Sequence, residues 1–251
     1  MRNYYDNPVF FEKYSQMSRS AQGLAGAGEW PTLRQMLPDF SGKTVLDLGC
    51  GYGWHCLYAA EHGAKAVHGI DLSERMLATA RKKVRQAGWE DRITLEKTAM
   101  EEYAYPAEDW DVVLSSLALH YVPDFAQICR QVYRTLKPGG TFVFSVEHPI
   151  FTAYGNQDWL YDQQGNILCW PVDRYFSEGC RDAVFLGETV EKQHKTLTTY
   201  LHSLLAAGFR LTDLREPEPP KELMHLPGMV DELRRPMMLL VSAEKPPRGE
   251  P

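Results

Sequence analysis

The sequence has no excess of basic residues, because 27 lysines and arginines stand against 33 aspartates and glutamates, for a net charge of −6 over 251 residues. Proteins that hold long nucleic acids through the phosphates ordinarily carry a basic surface. Long apolar runs are also missing, and stretches such as VLDLG and MMLLVSA fall far short of the roughly 20 residues of a membrane span. We therefore expect neither nucleic acid nor a membrane as a partner.

Cysteine is scarce and scattered. The five cysteines form no C-x-x-C pair, which argues against a disulfide framework or a zinc ribbon and is typical of a reducing compartment. The first residues, MRNYYDNPVFFEK, contain early acidic residues and no apolar core, so they do not resemble a signal peptide. These features predict a cytoplasmic protein without a metal site.

Short apolar segments alternate with amphipathic ones from residue 43 onward. In one amphipathic segment, Met76, Ala80 and Val84 fall on one face of a predicted helix, and Ser73 is the predicted N-cap of that helix. Strands separated by helices pair in parallel through right-handed crossovers, so the pattern predicts a Rossmann-like doubly wound α/β sheet. Its strands are predicted at 44–48, 66–70, 93–96, 110–115, 141–147, 209–214 and 237–243, with a turn at 138–140.

A glycine-rich turn, DLGCGYG at 47–53, follows the first strand and opens a helix. Glycines there let a ligand approach the backbone at the carboxyl edge of the sheet. Asp71 ends the second strand 18 residues after Gly53, which is the spacing at which a carboxylate takes ribose hydroxyls. The combination predicts a cofactor that contains a nucleoside.

Two absences narrow the choice of nucleoside. The dinucleotide fingerprint needs a third glycine where this chain has Trp54, and the indole obstructs the close helix–strand approach. No G-x-x-x-x-G-K-[ST] motif occurs, which excludes a P-loop. Asp47, before the first glycine, disfavours a pyrophosphate and suits a ligand with positive charge. A nicotinamide-dependent dehydrogenase is therefore disfavoured.

Four blocks in succession resemble the motifs of class I S-adenosylmethionine-dependent methyltransferases, closest to the type 11 group that acts on small molecules. They are VLDLGCGYG (45–53), GIDLS (69–73), DWDVVLSSLALHYVPD (109–124) and LKPGGTFVFSVEHP (136–149). The resemblance implies a seven-stranded sheet of order 3-2-1-4-5-7-6 with strand 7 antiparallel. It also implies a single domain, 1–251, made of a helical cap (1–40), a cofactor-binding core (41–147), an inserted substrate lid (148–194) and a C-terminal helix with strands (195–244).

The resemblance implies that the cofactor is S-adenosyl-L-methionine, released as S-adenosyl-L-homocysteine. In the family, the glycine loop lines the methionine part, the acid of the second strand binds the ribose, and an N-terminal helix folds over the cofactor. The implied contacts are Tyr14, Arg19, Asp47, Gly49, Cys50, Gly51, Asp71, Leu72, Met76, Ala99, Met100, Ser115, Leu117 and His120. Cys50 has packing as its alternative role, and Thr98, the backbone or Glu101 could hold the adenine amine.

Methyl transfer needs the nucleophile, the methyl carbon and the sulfur in line, and a base helps only when the nucleophile is protonated. The candidate bases are His120, His148 and His194, for each of which a structural role is the alternative. Aromatic residues are dense at the N-terminus and in 148–194, which predicts a substrate pocket or a packed aromatic cluster. The substrate candidates are Tyr5, Glu147, Trp170, Arg174 and Tyr175, with His194 and Lys195 beside them.

The sequence therefore predicts a methyltransferase that acts on an O, N or C atom of a small molecule. A methyltransferase of tRNA or protein is the first alternative, disfavoured by the acidic balance and by the absence of a [DNS]-P-P-[YF] block. A module that binds the cofactor without turnover is the second. The chain is expected to be a monomer or a homodimer.

Overall fold

The structure is a computed structural model that describes residues 3–225 and 227–249. Its strands β1 to β11 are, in order, Thr44–Leu48, Ala66–Asp71, Ile93–Lys97, Trp110–Ser116, Leu136–Glu147, Leu160–Tyr161, Ile167–Cys169, Gly179–Phe185, Glu188–His194, Arg210–Arg215 and Met238–Glu244. Its helices α1 to α9 are Pro8–Ser15, Ser18–Ala21, Trp30–Met36, Trp54–Glu61, Glu74–Ala87, Phe125–Thr135, Pro149–Thr152, Leu197–Ala207 and Met229–Glu232. Short 3-10 helices span Gly23–Gly26, Leu119–Tyr121 and Lys221–Leu223.

Seven strands form the central sheet in the order β3-β2-β1-β4-β5-β11-β10. Strands β1 to β5 run parallel, and β11 is antiparallel to both of its neighbours, β5 and β10. Counted along the chain, β10 and β11 are the sixth and seventh strands of this sheet. The predicted order 3-2-1-4-5-7-6, with an antiparallel strand 7, is therefore confirmed.

Helices cover both faces of the sheet and bury it. One apolar cluster joins the sheet to α6 and α8 through residues such as Phe125, Phe144 and Leu204, and the other joins it to α4 and α5 through Leu57 and Leu77. Full burial of a leucine or phenylalanine side chain contributes roughly 1.5–3 kcal/mol to the free energy of folding. The core thus fixes the carboxyl ends of β1, β2, β4 and β5 along one edge, where ligands bind in open α/β sheets.

Side-chain caps start five of the described helices, and α5, α6 and α8 are examples. Backbone N–H groups of the first turn donate to the Ser73 hydroxyl in α5, the Asp124 carboxylate in α6 and the Thr196 hydroxyl in α8. Such caps satisfy donors that the helix itself leaves unpaired. The cap predicted at Ser73 is confirmed.

The turn predicted at 138–140 lies inside β5. Strand β5 keeps its pairing with β4 on either side, Leu136 with Trp110 and Thr141 with Val112, and the residues between them bulge out. Gly139 has a φ of +79° and donates its N–H to the Lys245 carbonyl at 2.8 Å. The proline and glycines therefore bend the strand without ending it.

Residues 148–194, for which the sequence shows no period, contain two hairpins, β6–β7 and β8–β9. The two-residue turn Leu186-Gly187 joins β8 to β9 with φ values of +55° and +76°, as a tight hairpin requires. The hairpin β8–β9 packs on α1, where the rings of Phe10 and Phe185 lie 5.8 Å apart and Lys13 donates to the Leu186 carbonyl.

Among the residues that the structure describes, no helix is both long enough and apolar enough to cross a membrane.

Candidate active site

The loop after β1 forms one wall of a large cavity. Gly49 and Gly51 have φ values of +74° and +52°, which side chains other than glycine adopt at a cost. A Cβ at Gly49 would lie 2.5 Å from the Ala118 Cβ, whereas a Cβ at Gly51 would meet nothing within 4 Å. Gly49 is therefore required by packing, and Gly51 leaves open space beside its backbone.

Asp71 closes the loop from the end of β2. The Gly51 N–H donates to Asp71 Oδ2 at 2.9 Å, and the Ser73 N–H donates to Oδ1 at 2.8 Å. Burial raises the pKa of Asp71 to about 6, while these two hydrogen bonds act against the rise. Each carboxylate oxygen keeps a second lone pair for a ligand that carries hydroxyls.

The N-terminal segment is tied over the same edge. Asp6 Oδ1 accepts hydrogen bonds from the Ser73 hydroxyl at 2.6 Å and from the Arg75 N–H at 3.1 Å. The hydroxyls of Tyr5 and Tyr121 lie 3.2 Å apart. These contacts hold residues from the start of the chain against the ends of β2 and β4.

The cavity between these elements has a volume of about 410 Å³. It runs from the glycine loop and the end of β2 to the end of β5 and the inner face of β9. The predicted site residues that line it are Tyr5, Tyr14, Arg19, Gly49, Gly51, Asp71, Leu72, Met76, Ala99, Met100, Leu117, His120 and Glu147. Of the candidates to hold an adenine amine, Thr98 lines it as well.

A buried polar network occupies the end of the cavity away from the glycine loop. Lys192 Nζ donates to Glu147 Oε1 at 2.5 Å and to Gln157 Oε1 at 2.8 Å, and Gln157 Nε2 donates to Glu147 Oε2 at 2.6 Å. All three side chains line the cavity. Although burial opposes it, the nearby His120 and Lys192 hold the pKa of Glu147 below its usual range.

His120 lies beside this network and is 2% exposed. Its Nδ1 accepts the Glu147 backbone N–H at 3.4 Å, which places the ring proton of the neutral form on Nε2. Burial lowers the pKa of His120 to about 4. The ring is therefore neutral at physiological pH and offers a hydrogen bond through Nε2.

Arg19 lines the cavity but already has a partner. Its guanidinium donates to both carboxylate oxygens of Glu29, at 2.6 and 2.7 Å, and Glu29 is 2% exposed. Both hydrogen bonds come from one guanidinium nitrogen, Nη2, and such charge-assisted bonds are stronger than neutral ones. A ligand carboxylate at Arg19 would share the guanidinium with Glu29.

Three predicted cofactor residues lie behind the loop, outside the cavity lining: Asp47, Cys50 and Ser115. The Cys56 thiol lies 3.3 Å from Asp47 Oδ2, and burial raises the pKa of Asp47 to about 7. The Ser115 hydroxyl donates to the Leu48 carbonyl at 2.9 Å. Cys50 is buried. These side chains support the loop from below.

Two of the candidate bases lie away from the cavity lining. The His194 ring nitrogens contact the Thr152 hydroxyl and the Tyr175 carbonyl, each at 2.8 Å. His148 Nδ1 accepts the Ile150 N–H at the start of α7, and its Nε2 lies 2.8 Å from Glu216. Both rings are used in structural contacts, so the geometry brings only His120 of the three histidines to the cavity.

The remaining substrate candidates also lie outside the lining. Trp170 stacks on Phe151 at 4.9 Å, and the Tyr175 hydroxyl accepts the Leu197 N–H. Arg174 is exposed in a loop, and Lys195 donates to the Val122 carbonyl at 2.6 Å. In place of these residues, the hairpin supplies Lys192, and the loop before β6 supplies Gln157. The sequence signal for that hairpin is the glycine of the turn Leu186-Gly187, because Lys192 and His194 interrupt the apolar alternation of β9.

The site fits a cofactor with a ribose. The open space beside the Gly51 backbone and the buried Asp71 carboxylate lie together on the cavity wall. Apolar side chains of Leu72, Met76 and Met100 continue this wall, as the flat face of a purine requires.

Comparison with known proteins agrees with this geometry. A family model described as "Methyltransferase domain" matches residues 45–140. A protein of Listeria monocytogenes assigned to the S-adenosylmethionine-dependent methyltransferases is 58% identical, with a TM-score of 0.83 over 89% of this chain and 99% of that one. An S-adenosylmethionine-dependent methyltransferase of Mesorhizobium loti is 46% identical, with a TM-score of 0.80 over 88% of this chain and 100% of that one. An uncharacterized protein of Haemophilus influenzae is 32% identical over 96% of both chains.

Proposed function

The chain belongs to the class I S-adenosylmethionine-dependent methyltransferases, and from that premise we propose that it methylates a small molecule at an O, N or C atom by in-line displacement. Its cofactor is S-adenosyl-L-methionine, which supplies an already activated methyl group. Because activation is intrinsic to the cofactor, the protein's main task is to align the acceptor atom about 3–3.5 Å from the methyl carbon.

The covered cavity is the observation that carries the proposal. One continuous space of about 410 Å³ reaches from the glycine loop to the polar network of Glu147, Gln157 and Lys192, a volume within the range of small-ligand sites. Asp6 and Tyr5 tie the N-terminal segment over it, and the hairpin β8–β9 covers the other side. We propose that these two segments act as a lid over cofactor and acceptor.

Within this cavity, Asp71 would hold the ribose hydroxyls, while Leu72, Met76 and Met100 would pack on the adenine. The backbone at Gly51 would lie against the cofactor where any Cβ would intrude. The network at the end of β5 is then left for the acceptor. His120, neutral with its proton on Nε2, would orient an acceptor atom and is a poor proton acceptor.

A macromolecule is the alternative acceptor, and both the acidic net charge of the chain and the covered cavity argue against it. The net charge of −6 disfavours tRNA, and the segments over the cavity would have to open for a protein side chain. A binding module without turnover has no supporting observation beyond the intact cofactor site.

The proposal can be tested with tritium-labelled S-adenosylmethionine and a bacterial extract split by ultrafiltration. We expect the label in the small-molecule fraction, dependent on the enzyme and on an intact Asp71. Label found only in RNA or protein would contradict the small-molecule acceptor. Bound S-adenosylhomocysteine without any transferred label would favour the binding module.

A further inference from the structure

The acceptor end of the cavity holds a cation that is unusually well fixed. Lys192 is 2% exposed, and its ammonium is held by Glu147 from β5 and by Gln157 from the loop after α7. Gln157 also bridges to Glu147. Strand β5, the loop after α7 and strand β9 therefore converge to fix one ammonium in the cavity wall.

This polar network is not an efficient way to stabilise the fold. A buried ion pair pays a desolvation penalty, and apolar residues of similar volume are often equally stable or more so. Among the described residues, Lys192 Nζ donates to two oxygens, so one of its three N–H groups remains. A buried ammonium with a spare donor on a cavity wall is arranged to receive a ligand atom.

His120 supplies a second donor at the same end. With Nδ1 used by the Glu147 N–H, the free donor is Nε2–H, and no hydrogen-bond partner for it occurs in the part of the chain that the structure describes. Both His120 and Lys192 line the cavity. The Lys192 ammonium is already paired with Glu147, so the donors left at this end are one ammonium N–H and the His120 Nε2–H. Two such donors match an acceptor oxygen that carries negative charge.

The walls around this end are aromatic. Phe151, Tyr121 and Phe185 line the cavity, and the Lys192 ammonium lies 5.2 Å from the centre of the Phe185 ring. A flat ring would pack between such side chains. The site thus combines an apolar slot with donors at its closed end.

Resting on the proposed function, we propose that the acceptor presents the ionised oxygen of a phenol-type or enol-type hydroxyl on a ring to Lys192 and His120. An amine would enter as an ammonium and face the Lys192 charge, while Glu147 already receives two hydrogen bonds. An aliphatic alcohol would need a strong base to ionise, whereas an acidic phenol or enol is partly ionised in solution, with its proton left in the solvent, and can bind as the anion. Lys192 is then a specificity-determining residue, and Glu147 and Gln157 position it.

The binding of 4-nitrophenol tests this inference, because its phenolate form absorbs visible light and its neutral form does not. The protein is first saturated with S-adenosylhomocysteine and then titrated with 4-nitrophenol one pH unit below the pKa of the free phenol. We expect the phenolate band to rise as the ligand binds. Lys192→Met should lower the affinity for the phenolate by about tenfold or more, since a charge-assisted hydrogen bond is lost.

Two further variants and one further ligand serve as controls for this binding experiment. The double variant Lys192→Met/Glu147→Gln removes both charges, so that no unpaired carboxylate is left buried, and should show the same loss. Lys82→Met removes an exposed lysine of α5 that lies outside the cavity lining and should bind as the wild type does. 4-Nitroaniline, the neutral amine of the same shape, should bind at least tenfold more weakly than 4-nitrophenol.

The inference is overturned if the protein with bound S-adenosylhomocysteine does not take up the phenolate. It is equally overturned if the double variant keeps the wild-type affinity, or if 4-nitroaniline binds as tightly. Failure of the proposed function would be seen in the labelling experiment instead. The wild-type protein would then transfer tritium only to macromolecules or to no acceptor at all.

Discussion

The backbone N–H of Gly51 donates a 2.9 Å hydrogen bond to the carboxylate of Asp71. This bond joins the loop after β1 to the end of β2 at the cavity wall, next to the open space beside Gly51. The same carboxylate therefore shapes the loop and lines the cavity, so we expect cofactor binding to be sensitive to changes at both residues.

Asp71→Asn should weaken the binding of S-adenosylhomocysteine at least tenfold, as measured by isothermal titration calorimetry. The amide keeps the shape of the carboxylate but loses the charge and offers N–H to groups that are themselves donors. Asp91→Asn, at an exposed position outside the cavity, serves as the control and should bind as the wild type does. Equal affinity of the Asp71 variant would refute its role at the ribose.

Gly51→Ala and Gly88→Ala form a matched pair. Both glycines have positive φ, +52° and +72°, and a Cβ at either would meet nothing within 4 Å. Each alanine should therefore cost about 1–2 kcal/mol of stability from backbone strain. Only the Cβ at Gly51 enters the cavity, so only that variant should bind S-adenosylhomocysteine at least tenfold more weakly. Equal affinities of the two variants would contradict the cofactor contact.

Asp47 and Asp71 should make a contribution to the stability of the ligand-free protein that falls as the pH rises. Burial lowers the pKa of His55 and of His120 to about 4, and these two rings oppose that fall between about pH 4 and 6.5. Burial raises the pKa of Asp47 to about 7 and that of Asp71 to about 6, so the folded state binds more protons than the unfolded state above the ordinary carboxyl pKa. The stabilisation is complete below pH 4 and is lost as the pH rises towards 7, by up to about 1.4 kcal/mol per pH unit for each carboxyl.

Asp47→Asn isolates one part of this dependence, because an amide resembles the protonated acid and does not titrate. The melting temperature of the variant should gain on that of the wild type as the pH rises from 5 to 7, and the variant should melt above the wild type at pH 8. A difference in melting temperature that stays constant with pH would show that Asp47 does not titrate in this range.

Arg235 packs against the aromatic cluster of Phe151, Trp159 and Trp170, of which Phe151 lines the cavity. Its guanidinium lies 4.3 to 5.1 Å from the ring centres of Phe151, Trp159 and Trp170 and pairs with Glu232 at 2.8 Å. Arg235→Met should lower the free energy of unfolding by about 1–3 kcal/mol, since a desolvated cation–π contact is worth about 2 kcal/mol or more. Urea denaturation measures the change. Arg85→Met, at an exposed ion pair, should stay within about 0.5 kcal/mol.

The sheet and its cofactor edge could be predicted from the sequence because both rest on local patterns. The apolar strand 44–48, the glycines after it and the acid that ends β2 each carry their signal within a few residues. The side-chain caps at Ser73 and Asp124 are local features too, because each capping residue stands immediately before its helix. The strand order came from the resemblance to the family, since periodicity does not specify which strands pair.

The acceptor end could not be predicted in this way. The inward positions of β9 include Lys192 and His194, so the period-2 pattern that marks a half-buried strand is hidden by polar residues. Gln157 lies in a loop with no period of its own. His148 and His194 were attractive candidates by position alone, yet their ring nitrogens face Glu216, Thr152 and the main chain.

A crystal structure of the protein with S-adenosylhomocysteine tests the central claim that one cavity holds both cofactor and acceptor. We expect the ribose hydroxyls at Asp71, the adenine against Leu72 and Met100, and the sulfur directed towards the end that holds Glu147 and Lys192. A ribose bound away from Asp71, or a cofactor that itself fills the space at Lys192, would contradict the claim.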